Sequence, residues 1–213
     1  IGHQNAEDLF VDAINEGRLH HAWMVTGPKG IGKATFAWRL AKYLLCSPIK
    51  EEGASLFGDA PEVIQNLDID ADNPILRRIH AGSEGRLSVV RRPYDAKRKV
   101  FKAQISIEEI RRLKSFFALS AADGGRRVVI IDAADDLNLN AANALLKVLE
   151  EPPQHTFLLL ISHQPSRLLP TIRSRCRILR LGALSQVDID AVLVTQKLEI
   201  DPAEIKALST LSA

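Results

Sequence analysis

A glycine-rich segment that follows a short apolar run carries the residue types best suited to hold a phosphate group. Its members match the spacing G-x-x-x-x-G-K or complete the turn: Gly27, Pro28, Gly30, Gly32 and Lys33. Glycines let the backbone curl so that successive N–H groups point inward, and the lysine adds a point charge. The apolar run 22–26 predicts a strand before the loop, and residues 36–45 predict a helix after it. This strand–loop–helix order is the setting that a phosphate-binding loop requires, because the helix adds its positive N-terminal end.

The residue after the lysine departs from the motif. A serine or threonine at this position normally ligates magnesium through its hydroxyl, whereas Ala34 offers only a methyl group. Thr35 comes next, but on a helix it lies about a quarter of a turn away and is a poor substitute. We therefore expect a phosphate cradle in which magnesium is doubtful and in which weak binding of ATP or ADP stays open.

A second apolar run, residues 128–131, ends in Asp132 and is typical of a strand buried on both faces of a parallel sheet. P-loop ATPases place an acid here to hold the metal and follow it with a glutamate that activates water. Asp132 is present, but Ala133 stands where the base is needed. Loss of a general base costs typically about 10² to 10⁴ in rate. We therefore expect no self-sufficient ATP hydrolysis.

Bulk composition fits a globular protein with one larger domain and one small one. The chain has 213 residues, of which 46% are hydrophobic, and its apolar runs are too short to cross a bilayer. The net charge of +2 alone says nothing about nucleic acid. Cys46 and Cys176 lie far apart, which favours a reducing compartment, the cytoplasm, and no disulfide framework.

Predicted strands and helices alternate along the chain up to residue 182, and this alternation indicates an α/β fold. The composition changes after that residue. The tail, 183–213, predicts two helices of a separate small module, at 188–197 and 202–211. Earlier, the basic stretch 91–99 separates two extended runs and predicts a hairpin with a basic tip. The alternative is a charged loop that is only solvated.

Two long segments resemble one protein family. Residues 140–153, NAANALLKVLEEPP, look like the helix after the acidic strand in bacterial clamp-loader subunits, and residues 168–176, LLPTIRSRC, look like their arginine-finger segment. With the phosphate loop and the His20-His21 lead-in, the resemblance covers about residues 1–182. The chain is identified as a member of the AAA+ clamp-loader family of bacterial DNA polymerase III. It is most similar to the delta-prime branch, whose own nucleotide site is often degraded.

The resemblance implies an architecture: a P-loop AAA+ domain over residues 1–182, in which helices flank a parallel five-stranded sheet. Residues 183–213 would begin the small helical lid domain, and the family's collar domain would lie beyond this chain. Relatives often carry a four-cysteine zinc module after the phosphate-loop helix. Cys46 is the only cysteine in that region, and one thiol cannot form a structural zinc site, so we expect no zinc.

The resemblance also implies two residue roles. Arg175 would reach across a subunit interface to the terminal phosphate of ATP held by a neighbour, where a guanidinium offers several fixed donors and stays charged. Ser162 lies at the end of the apolar run 156–162, where relatives place a polar residue that senses the phosphate. Ordinary hydrogen bonding at the strand end is the alternative for Ser162.

The function that these features favour is that of a non-motor scaffold and activator subunit. It would assemble with ATPase subunits of the gamma/tau type and with a delta-type subunit, and help to load the sliding clamp on primed DNA. Basic residues that are candidates for the DNA path are Arg111, Arg112, Lys114 and Arg126 or Arg127. The main alternative is a working P-loop ATPase, the motor subunit of the same loader, which Lys33 and Asp132 favour. A nucleoside or nucleotide kinase would share the phosphate loop but leaves both long family segments unexplained.

Overall fold

The computed structural model describes residues 2–48, 63–119 and 125–195. The predicted tail helix at 202–211 lies outside these residues. None of the described helices is long and apolar enough to cross a membrane.

A five-stranded sheet forms the centre of the fold, in the order β2-β5-β6-β1-β7. The strands along the chain are β1 (Ala22–Thr26), β2 (Leu87–Arg91), β3 (Tyr94–Asp95), β4 (Val100–Phe101), β5 (Arg127–Asp132), β6 (Thr156–Ser162) and β7 (Arg177–Arg180). All neighbours in the large sheet pair in parallel, whereas β3 and β4 form a separate antiparallel pair. The predicted α/β class and parallel five-stranded sheet are confirmed.

Helices cover both faces of the sheet. They are α1 (Gln4–Asn15), α2 (Lys33–Cys46), α3 (Pro74–His80), α4 (Ile107–Leu119), α5 (Leu139–Glu150), α6 (Pro170–Arg173) and α7 (Gln186–Thr195). One core packs α1 and α2 against one face, and the other packs α4 and α5 against the opposite face. Strand β5 serves both cores, because Val128 and Ile130 point to the first and Val129 and Ile131 to the second. This burial on both faces explains its continuous apolar sequence.

Local sequence signals set several helix ends. The side chain of Asn138 accepts a hydrogen bond from the N–H of Ala141 at 2.8 Å and begins α5. Asn73 does the same for Ile75 at 2.9 Å and begins α3, whose first residue is Pro74. Helix α2 begins at Lys33, three residues before the predicted start. The phosphate loop therefore passes directly into the helix.

The basic stretch differs from the prediction in one respect. Strand β2 pairs with β5 in the main sheet, and the hairpin forms entirely after it, from Tyr94–Asp95 paired with Val100–Phe101. Pairing with β5 buries Val90 in the core between the sheet and α4. The short strands of the hairpin remain largely exposed. Helix α7 covers part of the first predicted tail helix; the division between domains at residues 182 and 183 stays a prediction.

Candidate functional site

The phosphate loop adopts a backbone that glycines make possible. Gly27, Gly30 and Gly32 have φ values of 148°, 94° and 90°, in the region that side chains rarely adopt. A Cβ on Gly27 would also contact the carbonyl oxygen of Leu181, and it would come within 2.7 Å of the side chain of Ile31. The loop therefore passes so close to the segment after β7 that no larger residue fits at position 27.

Lys33 turns its ammonium group inward to the loop. The side chain is buried, and its Nζ donates hydrogen bonds to the carbonyl oxygens of Gly27, at 2.9 Å, and Pro28. Burial lowers the pKa of Lys33, and the negative charges of Asp135 and Asp132 oppose that shift. The lysine charge is thus placed inside the curve of the loop, between backbone oxygens and two acids.

The start of α2 offers no magnesium ligand of the usual kind. Ala34 is half-buried beside the lysine, and the Thr35 side chain is exposed one residue further along the helix. At the end of β5, Asp132 is half-buried and the following Ala133 is buried. Beside the loop, the donor set for a bound magnesium ion is reduced to the Asp132 carboxylate.

Asp135 joins the ends of β5 and β6, a role that sequence reasoning missed. Its carboxylate accepts a hydrogen bond from the Ser162 hydroxyl at 2.7 Å and further bonds from the backbone N–H groups of His163 and Gln164. Ser162 is fully buried, and its proton is committed to Asp135. This favours the strand-end role over phosphate sensing. The available signal was a second acid three residues after Asp132, next to a parallel strand that also ends in a polar residue.

A polar cleft of about 430 Å³ lies beside the phosphate loop. The N-terminal segment, the residues after β7 and helix α7 line it, among them Gly2, Arg180 and Asp188. His3 connects this cleft to the loop, because its Nε2 lies 2.7 Å from the carbonyl oxygen of Ile31. The cleft is of the size that small ligands occupy in proteins. No sequence signal identified His3.

Arg175 lies at the other edge of the sheet. Strands β1 and β7 are parallel and so run in the same direction. Strand β7 begins at Arg177, opposite Trp23 near the start of β1, and it ends at Arg180, opposite Thr26. The three steps from Arg177 to Arg180, at about 3.3 Å each, therefore separate the two edges by about 10 Å. The phosphate loop follows Thr26 at the carboxyl edge, whereas Arg175 precedes β7 at the amino edge.

Two contacts hold Arg175 at that edge. One guanidinium nitrogen forms an ion pair with Glu150 at 2.8 Å, and another donates to the carbonyl oxygen of Thr171 at 3.0 Å. The side chains of Arg175 and Glu150 are 36% and 47% exposed, so the pair is open to solvent. The guanidinium is accessible to another protein but lies across the sheet from this chain's own loop.

The contacts of His20 and His21 and the pKa values of the two cysteines indicate structural rather than catalytic roles. His20 and His21 bond to the backbone oxygens of Ala22 and Leu149, both at 2.9 Å. Burial raises the pKa of both thiols, for Cys176 to about 12. Within residues 2–48, 63–119 and 125–195, no group of three or more His, Cys, Asp or Glu side chains could hold a metal ion.

Comparisons with known proteins decide the family. A family model described as "DNA polymerase III, delta subunit" matches residues 2–185. The "DNA polymerase III subunit delta'" of Pseudomonas aeruginosa is 40% identical over 156 residues, 73% of this chain and 41% of that protein. The chain belongs to the DNA polymerase III delta' subunit family. The delta' subunit of Bacillus subtilis is 32% identical over 204 residues, 96% of this chain and 54% of that protein.

Members of this family share the fold with other AAA+ proteins. The gamma subunit of Buchnera aphidicola is 28% identical and aligns with 98% of this chain. A gamma subunit-related protein of Thermotoga maritima superposes with a TM-score of 0.56 at 19% identity, covering 87% of this chain and 49% of that one. RuvB of the same organism superposes at 0.53 and 17% identity, covering 98% and 56%. The chain spans about half the length of the curated relatives that it matches.

The geometry sorts the predicted site residues into two groups. One group meets at the carboxyl edge of the sheet and comprises Gly27, Pro28, Gly30, Gly32, Lys33, Ala34, Thr35, Asp132 and Ser162. The other is Arg175, alone at the amino edge with Glu150. The roles of the two groups in a reaction stay predictions.

Proposed function

We propose that this chain is a non-motor subunit of the DNA polymerase III clamp loader. It assembles with ATPase subunits of the gamma/tau type and presents Arg175 to ATP that a neighbour holds. Through that assembly it helps to load the sliding clamp on primed DNA. The relatives named delta', gamma and tau support the assembly, because subunits of one polymerase complex share this chain's sequence over much of its length.

The position of Arg175 is the observation that carries the proposal. Its guanidinium is exposed at the amino edge of the sheet, while the chain's own phosphate loop follows β1 at the carboxyl edge. An arginine finger must touch the terminal phosphate, so Arg175 can serve only a nucleotide held by another subunit. Such a finger supplied in trans contributes about 10³ to 10⁵ in rate.

The chain's own site supports the non-motor part. The lysine and the glycine-rich turn remain, so a phosphate fits, but the magnesium hydroxyl and the water-activating carboxylate are replaced by Ala34 and Ala133. Asp135 does not replace that carboxylate, since it already accepts three hydrogen bonds from the segment after β6 and from Ser162. ATP or ADP would therefore act here as a structural ligand.

The motor ATPase is the second candidate, because Lys33 is retained and the negative charges of Asp132 and Asp135 oppose the lowering of its pKa by burial. ATP turnover by the purified chain separates the two functions. We expect turnover at the background level, unchanged by Lys33→Ala, and a rise in turnover when the chain is added to its ATPase partners. Turnover by the chain alone that Lys33→Ala abolishes would establish the motor function and remove the proposal.

A further inference from the structure

The hairpin between β2 and α4 is rich in basic residues. We define the basic hairpin as residues 91–102, which contain one carboxylate, Asp95, and six cations: Arg91, Arg92, Lys97, Arg98, Lys99 and Lys102. Asp95 shapes the tip, because its Oδ1 accepts hydrogen bonds from the N–H groups of Lys97 at 3.0 Å and Arg98 at 3.1 Å. Within the described residues, Lys97, Arg98 and Lys99 form no ion pair and are exposed.

Two aromatic side chains lie among these cations. Tyr94 and Phe101 face each other across the hairpin strands, with ring centroids 5.2 Å apart and planes at 65°. Their side chains are 55% and 59% exposed, which places them among the exposed large hydrophobic residues of the protein. A cleft of about 430 Å³ adjoins the rings, with Pro93 and Arg112 in its lining. The two rings are thus partly open to solvent beside a concave surface whose lining holds three arginines and one carboxylate, Glu109, which pairs with Arg112.

The basic hairpin is attached firmly to the body of the domain. The N–H of Lys102 donates to the carbonyl oxygen of Pro93 at 2.8 Å and closes its base. The Arg92 guanidinium pairs with Asp136 at 3.2 Å, in the turn that follows β5. These contacts hold the rings and cations in one orientation relative to the sheet, so that less ordering is needed when something binds.

We propose that the basic hairpin binds an unpaired nucleic-acid strand. Backbone phosphates would contact Lys97, Arg98 and Lys99, and bases would stack on Tyr94 and Phe101. Proteins that bind single strands combine these two elements, a positive surface and aromatic platforms, because every base has a face on which to stack. A duplex would offer phosphates but no open base face, and an acidic protein surface would not use the rings as stacking platforms.

This inference goes beyond the proposed function, because it needs neither Arg175 nor a neighbouring ATPase. The test is the fluorescence anisotropy of a labelled oligothymidine strand, titrated with the full chain over a series of salt concentrations. The same strand annealed to its complement serves as the duplex probe. Circular dichroism confirms that each variant is folded.

Two sets of substitutions divide the contributions. Loss of one stacked base costs roughly 5-fold to 150-fold in affinity, so we expect Tyr94→Ala with Phe101→Ala to weaken strand binding by at least the lower figure. Lys97→Ser, Arg98→Ser and Lys99→Ser together should reduce the slope of log affinity against log salt by about two units, since each phosphate contact on a single strand contributes about 0.7. Arg18→Ser with Arg77→Ser removes two exposed cations elsewhere and should change neither quantity.

Three results would overturn the proposal. One is the absence of strand binding by the wild-type chain at physiological salt. Another is a failure of the unpaired-strand mode: either the aromatic substitutions leave strand affinity unchanged, or the wild-type chain binds the duplex as tightly as the strand. The third is a set of hairpin variants that bind the strand normally but fail to assemble with other subunits, which would assign the surface to a protein partner.

Discussion

The two edges of the parallel sheet differ in what they retain of an ATP site. At the carboxyl edge, the backbone of a phosphate loop is intact, with three glycines at positive φ and a buried lysine, but the groups that cut ATP are missing. At the amino edge there is no cradle, only an exposed guanidinium held by Glu150 and by the carbonyl oxygen of Thr171.

The difference indicates that positioning and chemistry are separable in this fold. The phosphate loop is also a structural element here, because Gly27 packs against Leu181 after β7 and Lys33 bonds to the loop's own carbonyl oxygens. The domain therefore has a reason to keep the loop even without turnover. The Arg175 side chain is fixed by polar contacts, with Glu150 and with the carbonyl oxygen of Thr171.

The largest effect is expected at the amino edge. Arg175→Ala in the reconstituted loader should lower ATP hydrolysis at the adjoining site by about 10³ to 10⁵, since a trans arginine finger contributes that much. Arg177→Ala is the matched control, an exposed arginine two residues away, and should leave turnover unchanged. Single-turnover hydrolysis of labelled ATP measures both. Equal rates for wild type and Arg175→Ala would remove Arg175 from this role.

Repair of the carboxyl edge should produce the next largest effect. Ala34→Thr with Ala133→Glu restores a magnesium hydroxyl and a base, and a general base contributes about 10² to 10⁴ in rate. We expect the purified double variant to hydrolyse ATP above the wild-type background. Lys33→Ala added to it should abolish the gain. Undetectable nucleotide binding by the folded double variant would show that the cradle no longer accepts phosphate.

A stability comparison tests the structural role of the loop. Gly27→Ala adds a Cβ against the backbone oxygen of Leu181 at a positive φ, and we expect it to lower the free energy of unfolding by about 2 to 4 kcal/mol. Gly30→Ala has a positive φ too but nothing within 4 Å of the added Cβ, so it should cost about 1 kcal/mol. Urea unfolding of both variants gives the difference. Equal losses would show that the contact with Leu181 is unimportant.

The smallest effect is expected for the partner of Arg175. Glu150→Gln removes a solvent-exposed ion pair, and such pairs contribute about 0 to 1 kcal/mol to stability. Because the guanidinium must leave Glu150 to reach a phosphate, turnover by the assembled loader should stay the same or rise by up to about fivefold. A loss as large as that of Arg175→Ala would mean instead that Glu150 aims the guanidinium.

Continuous apolar runs and helix caps made much of the architecture predictable. The bounds of β6 are those expected from residues 156–162, and those of β1 are the ones expected from residues 22–26. Local signals did not reveal the partner of β2, because strand pairing depends on which apolar face the distant β5 leaves open. The predicted hairpin was accordingly placed too wide.

The site was predictable only where a motif spaces its residues closely along the chain. The phosphate loop is such a motif, because residues 27–33 alone supply its positive φ values and the inward bond of Lys33. Contacts that join distant segments were not foreseen, such as Asp135 with Ser162 or His3 with Ile31. Each depends on how the topology brings strand ends together. The finger role of Arg175 was predicted from resemblance alone, and the parallel register places that residue across the sheet from the loop.

The most direct measurement compares the two edges within the same assembly. The loader is reconstituted with this chain carrying either Lys33→Ala or Arg175→Ala, and ATP hydrolysis by the whole complex is followed in the presence of primed DNA and clamp. We predict that Lys33→Ala leaves turnover close to wild type, whereas Arg175→Ala slows it sharply. The reverse pattern, with turnover dependent on Lys33 and indifferent to Arg175, would contradict the account.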